Sequence, residues 1–353
     1  MNKPIDLQDI DRILVTRVDR IGDVVLSTPV LEALRSRFPF AHIAMMISPA
    51  TRDLVEGNPN IDEVIVYDKT GRQKSWKGTW RFSKKLKEKD FDIVIHLHPT
   101  NRVNWVSFLA GIPVRLGYRW KNYRLLTHVV PYLKHEGLKH EAQYNFDLLK
   151  RLGIDAPSEI RTHVPLSEEI YESLIDIKKE AGLESDSFIT INPGSSCPSK
   201  MWPASRFAEL ADRITEKFGI PVVFIGGDKE KSLAAQMMKW MKTKPVDLTG
   251  KLSLSQTAWL LKQADLLVSN DSGPVHIANA VGTPAISIFG RKQPGLSPRR
   301  WGPVGKDSTV IHKDVGCTVC AAHECEYSFL CLDAISIEEV LQAVGKYEAC
   351  FNR

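Results

Sequence analysis

The 353-residue chain has no stretch long and apolar enough to span a bilayer, which argues against an integral membrane protein. Its first residues, Met1 to Asp11, are acidic and polar and lack the apolar centre of a secretory signal. A cytoplasmic protein is therefore expected. Cysteine is sparse: six residues, with no export signal, argue against a disulfide framework. There is no long basic tail and no nucleic-acid motif, so nucleic acid is not an expected partner. The formal charge of +5 is mild and suits acidic small molecules or an anionic surface. No repeat or low-complexity tract occurs. No Asp-x-Asp pair is placed to hold a metal–diphosphate complex, so neither a metal nor a cofactor is expected.

What is present is globular: 43% hydrophobic and 25% charged residues, enough chain for two full domains. Apolar runs alternate with helix-period segments. In the first half they are Ile13–Thr16, Ile43–Ile47, Val64–Tyr67 and Ile93–Ile95; in the second, Phe188–Ile191, Val222–Ile225, Leu266–Val268 and Ala285–Phe289. The runs are continuous, not alternating, so both strand faces are expected to be buried, as in parallel sheets covered by helices. The expected class is α/β, built from βαβ units. A polar helical stretch, Glu168 to Glu184, ends in Ser185-Asp186-Ser187 and marks the boundary region. The expected division is 1–170, 171–335 and a last helix in 336–353, opened by Ser336 with acids in its first turn.

Three turns share one design, a strand running into a polar, glycine-bearing turn that opens a helix. They are Thr16 to Asp23, Asn192-Pro193-Gly194-Ser195-Ser196, and Asn270-Asp271-Ser272-Gly273. Ligands of open α/β sheets bind at the carboxyl ends of strands, and a helix start favours an anion there. Two domains facing one another would gather all three turns around one cleft. Asp271 and His276 carry side chains able to hold hydroxyls or phosphate oxygens; the plainer alternative is an N-capping Asp and a buried His. Ser195 and Ser196 suit phosphate oxygens, and Lys200 adds a compact positive charge. Gly226-Gly227-Asp228 follows a strand, and Asp228 could accept from ribose hydroxyls, although an ordinary tight turn explains the glycines equally. Asp23 follows Gly22 at a helix start, where the dipole would keep it ionised and ready to accept a proton; a plain helix-start carboxylate is the alternative. Pro29 either kinks that helix or sits first in a new one capped by Thr28.

Together these pieces resemble the ADP-heptose:lipopolysaccharide heptosyltransferases, family nine of the glycosyltransferases. The resemblance rests on Val18-Asp19-Arg20-Ile21-Gly22-Asp23, Asn192-Pro193-Gly194-Ser195, Lys200-Met201-Trp202-Pro203, and Asn270 to Ala278 with Gly282-Thr283-Pro284, in order from about Ile13 to Trp301. It implies the GT-B architecture: two Rossmann-like domains facing across a cleft, acceptor side first and nucleotide-sugar side second, with the terminal helix packing back on the first. It also implies Asp23 as catalytic base. Ser195, Ser196 and Lys200 would hold the diphosphate, Asp228 and Leu252 the nucleoside, and Asp271, Ser272, Gly273 and His276 the donor sugar and phosphate. The implied partners are ADP-heptose and a lipid A/Kdo-type lipopolysaccharide core acceptor, met at the cytoplasmic face of the inner membrane. The alternatives are another GT-B nucleotide-sugar hexosyltransferase of the cell envelope, or a non-catalytic nucleotide- or metal-binding protein. Asp23 standing with Lys200 and Asp271 argues against the last.

Two features fall outside that set. Residues 69–89 are dense in Lys and Arg, with Trp76 and Trp80 four apart. They suit anionic headgroups or an acidic acceptor, or else form a solvated helix with two core tryptophans. Arg115, Arg119 and Arg124 are further candidates for acceptor contact. Cys317, Cys320, Cys325 and Cys331 could bind zinc or an iron–sulfur centre, or remain reduced thiols in a surface loop. Lying past the last donor motif, they are expected to be peripheral to the chemistry.

Overall fold

The computed structural model describes residues 4–351. They form two α/β units: one runs through His135 and takes in Lys139–Pro165, and the other joins Glu136–Leu138 to the chain from Leu166 onward. The first sheet holds β1 (Arg12–Arg17), β2 (His42–Ile47), β3 (Glu63–Val66), β4 (Ile93–His96), β5 (Val114–Arg119) and β6 (His128–Pro131), in the order β3-β2-β1-β4-β5-β6. The second holds β7 (Ile189–Asn192), β8 (Val222–Phe224), β9 (Val246–Asp247), β10 (Leu266–Asn270), β11 (Ala285–Phe289) and β12 (Thr309–His312), in the order β12-β11-β10-β7-β8-β9. Every pairing in both sheets is parallel. Read from β9, the second order repeats the first, as in Rossmann-like folds. Each order reverses at its middle, between β1 and β4 and between β7 and β10. Such switch points are where open α/β sheets bind ligands.

The strand core follows from the continuous apolar runs. All residues of β4, β7, β10 and β11 are buried, because helices cover both faces. In the second unit Trp202 is enclosed beside Phe207, edge-on with centroids 4.9 Å apart. Its indole N–H donates to the Ile335 carbonyl at 3.0 Å, so burying this large ring leaves no polar atom unpaired.

Two sequence expectations need correction. The boundary lies at Pro165–Leu166, not after residue 170. The helix Glu168–Glu180 belongs wholly to the second unit: Lys178 donates to Gln263 at 2.9 Å, and Trp259 donates to the Ser167 carbonyl at 2.8 Å. The terminal helix Ile337–Gly345 packs within the second unit. Val340, Ala343 and Val344 lie in the second unit's core with Phe207, Leu210 and Ile214. Its Ser336 cap forms as expected, accepting from the Glu339 N–H at 3.2 Å. Lastly, Pro29 neither kinks a helix nor follows a Thr28 cap. One short helix, Ile21–Val25, ends, and a second, Thr28–Arg37, starts with Ser27 at its cap and Pro29 in its first turn, where no N–H is needed.

Candidate functional site

At the end of β1, Arg17 is wholly buried and organises a charged cluster. Its Nε donates to Asp19 at 2.8 Å, and its Nη2 donates to Asp23. Both terminal nitrogens reach Glu141 Oε1, at 3.1 and 3.2 Å. Lys134 Nζ donates to the same oxygen at 2.6 Å. Asn145 accepts from Arg17 and Lys134 and donates to the Leu26 carbonyl at 3.2 Å, fastening the cluster beneath the turn. His98, just past β4, faces Asp19 at 3.5 Å. Burial, with Arg17 nearby, pushes its imidazole down to about 3, so it is neutral.

Asp23 therefore does not behave as a plain helix-start carboxylate. Burial and the Asp19 charge outweigh Arg17 and push it up to about 6, opposite to the shift expected from the helix dipole. A carboxyl with that affinity is ionised at neutral pH and still a useful proton acceptor. The arrangement is a buried carboxyl tuned by two neighbouring acids, Asp19 and Glu141, and one cation, Arg17.

In the second unit the ends of β7, β10 and β11 converge. Asp271 Oδ2 meets Lys200 Nζ at 2.9 Å and Arg291 Nη2 at 2.8 Å. Ser195 donates to the Asp271 carbonyl at 3.1 Å. Asn192 donates to Ser272 at 2.8 Å and to Ser269 at 3.1 Å. Asn270 bridges the Trp202 N–H and the Pro193 carbonyl. Gly273 and buried His276 begin the helix Gly273–Val281. Asp271 is thus a clamp between two cations; the cap position belongs to Ser272. The predicted Ser195, Lys200, Asp271, Ser272 and Gly273 come together. Ser196 is exposed at the rim.

Asp228 is also exposed and pairs with Lys231 at 2.7 Å. Its turn lies beside the loop after β9: a side chain on Gly250, which has φ +64°, would strike Asp228 and Lys231. The Gly250 N–H donates to the Gly226 carbonyl at 2.8 Å. Asp228 and the Leu252 loop are therefore neighbours. Sequence reasoning missed Glu141, Lys134 and Arg291. Only Arg291 had a visible signal, the first of two adjacent cations, Arg291-Lys292, just past the strand end at Phe289.

Cys317, Cys320, Cys325 and Cys331 line one cavity of about 260 Å³. Burial raises the Cys320 thiol, but backbone N–H groups of Lys292, Ala322 and Gln293 prevail and lower it below the ordinary range. Among the described residues no three histidine, cysteine or acidic side chains close around a point able to hold a metal ion. The loop is less remote than expected, since His323 meets Ser199, next to Lys200, at 3.2 Å.

The reading of Trp76 and Trp80 as core residues is overturned: they are 63% and 49% exposed. On the helix Trp76–Lys87 the buried face is Thr79, Ser83 and Leu86, while Lys84 lies over Trp80 at 4.0 Å on the outer face. Trp76 packs edge-on to Trp105, centroids 5.9 Å apart. No helix among the described residues is long and apolar enough to cross a membrane.

Residues 79–330 match the family model for glycosyltransferase family 9 (heptosyltransferase). The chain is 28% identical over 286 residues to lipopolysaccharide heptosyltransferase 3 of Escherichia coli K12, covering 76% of this chain and 79% of that protein. The crystal structure of a family 9 glycosyl transferase from Veillonella parvula superposes with a TM-score of 0.88 at 32% identity, covering 98% of this chain and 99% of that one. E. coli ADP-heptose lps heptosyltransferase II shares the fold, with a TM-score of 0.79 at 24% identity over 96% and 98% of the two chains.

Proposed function

The chain belongs to glycosyltransferase family 9 and is a glycosyltransferase, and from that premise we propose that it moves a heptose from ADP-heptose to a lipopolysaccharide inner-core acceptor with inversion. The observation that carries the reading is the cationic clamp on Asp271 at the second sheet's switch point, where Lys200 and Arg291 supply two charges for a diphosphate. Ser195 and the N–H groups opening the Gly273–Val281 helix add donors at the same strand end. Asp228 and the Leu252 loop, side by side beyond β8 and β9, take the nucleoside.

In this reading the acceptor hydroxyl attacks the anomeric carbon and Asp23 takes its proton. The bond from that carbon to the ADP oxygen breaks through an oxocarbenium-like state. Lys200 and Arg291 stabilise the charge growing on ADP, with no metal in the step. Attack from the face opposite ADP inverts the anomeric centre. The basic, tryptophan-bearing outer face of Trp76–Lys87 is the part suited to the anionic headgroups around such an acceptor.

The test is calorimetric titration with ADP-heptose, UDP-glucose and GDP-mannose. A marked preference for ADP-heptose is expected. Equal or better binding of UDP-glucose or GDP-mannose would move the reading to another nucleotide-sugar hexosyltransferase.

A further inference from the structure

One nitrogen in the first unit is shared by two carboxylates. Arg17 Nη2 donates both to Asp23 and, at 3.2 Å, to Glu141 Oε1. The other contacts leave the guanidinium little freedom: Nε is held by Asp19 at 2.8 Å, and Nη1 by Glu141 at 3.1 Å, with the Leu97 carbonyl and Asn145 beyond. Glu141 is itself immobilised. It is fully buried at the start of the helix Glu141–Leu149, and Lys134 Nζ sits 2.6 Å from the oxygen that meets Arg17. Lys134 is fixed in turn by the Leu97 carbonyl at 3.2 Å and the Tyr118 ring, 4.7 Å to its centroid.

A buried carboxylate held by an arginine of its own would be a poor base, because the ion pair favours its charged form. Here the arginine is divided. Glu141 competes for the nitrogen that orients Asp23, and its own negative charge disfavours a second one nearby. Around Asp23 stand Arg17 from β1, Asp19 from the turn, neutral His98 from just past β4 and Glu141, with Lys134 behind it.

We propose that Glu141 is a positioning residue: by sharing Arg17 with Asp23, it lets the guanidinium orient the Asp23 carboxylate without depriving it of basicity. The value of that basicity to turnover rests on the reading of Asp23 as the general base; the effect of Glu141 on Asp23 does not. Lys134 opposes Glu141 and limits how far it pulls Arg17.

The test separates the two claims. Carboxyl-¹³C-aspartate is incorporated into the full chain, and the Asp23 signal is identified by its loss in Asp23→Asn. In Glu141→Gln, which keeps size and an acceptor oxygen, the Asp23 titration midpoint is expected to fall by about one pH unit. The acid limb of kcat/KM should move down with it, and the plateau should fall about threefold to tenfold, as for a weaker base. In Lys134→Met the midpoint should move up instead, and the double variant should return towards wild type. Two variants shifting in opposite directions cannot both reflect loosened packing. If Glu141→Gln proves too unstable, the upward shift in Lys134→Met still decides. An unmoved or raised midpoint in folded Glu141→Gln, or an unmoved or lowered one in Lys134→Met, overturns the proposal. If the midpoints shift as expected but Asp23→Asn turns over at the wild-type rate, Glu141 keeps its role towards Asp23 and the base assignment alone is lost.

Discussion

Lys200 and Arg291 reach one oxygen of one carboxylate, 2.9 and 2.8 Å from Asp271 Oδ2. They arrive from the loops after β7 and β11, while Asp271 immediately follows β10. Removing one cation leaves Asp271 with the other and removes a charge-assisted partner for phosphate. Lys200→Ala should therefore weaken ADP binding by about 10- to 100-fold, the equivalent of one such hydrogen bond. Adenosine binding should change by less than about twofold. Calorimetry with both ligands decides, and an equal loss for each would show that Lys200 does not read phosphate.

Asp23 makes a pH prediction. Its carboxyl is raised to about 6, so the proton-accepting form prevails above that pH and is lost below it. If Asp23 is the base, kcat/KM should fall about tenfold per pH unit on the acid side of that value. Neutral His98, pushed down to about 3, does not titrate in the same window. Asp23→Asn should cost about 10²–10⁴ in rate and abolish the acid limb, with donor affinity unchanged. A pH-independent rate between 5 and 8 in the wild type would count against the assignment.

Much of this was legible in the chain because strand ends and local turns are written locally. The apolar runs gave the central strands, and the turns after β1, β7 and β10 carry Asp23, Lys200 and Asp271 where expected. The misses have a common cause. β5 carries Arg115, Gly117 and Arg119, β6 is only half-buried, and β9 has two residues, so none shows a long apolar run. Glu141 meets Arg17 across 124 positions, which no local pattern encodes. The dipole argument for Asp23 failed because Asp19 and burial act from outside the helix start. The partners of the terminal helix in the second unit's core, Phe207, Leu210 and Ile214, are likewise distant in sequence, and its own apolar stripe does not encode them.

The exposed face of Trp76–Lys87 should bind anionic bilayers. Trp76 and Trp80 supply insertion at the interface, and Lys84, Lys85 and Lys87 supply attraction worth about 1 kcal/mol each near a charged surface. Co-sedimentation with phosphatidylglycerol vesicles should exceed that with phosphatidylcholine and decline with salt. Trp76→Ala with Trp80→Ala should reduce partitioning about tenfold while leaving ADP affinity intact. Equal sedimentation with both vesicle types would remove the membrane from the picture.

If Lys200 and Arg291, the two cations on Asp271, neutralise the diphosphate as proposed, transfer should survive dialysis against EDTA. Loss of turnover that magnesium or manganese restores would refute this. The cysteine loop is a separate question with its own outcome. Its four cysteines line one cavity, and Cys320 accepts N–H groups from Lys292 and Gln293, immediately after Arg291. His323 meanwhile touches Ser199, beside Lys200. The loop thus contacts the chain neighbours of both cations, Ser199 beside Lys200 and Lys292 beside Arg291, and it is expected to supply no atom to the reaction. Replacing all four half-buried cysteines by serine should lower thermal stability, since each weakened hydrogen bond costs about 0.5–1.5 kcal/mol. At about 2–4 °C per kcal/mol for a unit of this size, a drop of several degrees is expected. Turnover per folded molecule, measured well below the new melting point, should stay within about threefold, with at most a modest rise in the donor KM. Elemental analysis of wild type and variant shows whether a thiolate-bound metal contributes to the difference. A folded quadruple variant that binds ADP normally yet transfers no sugar would place the cluster in the active site itself.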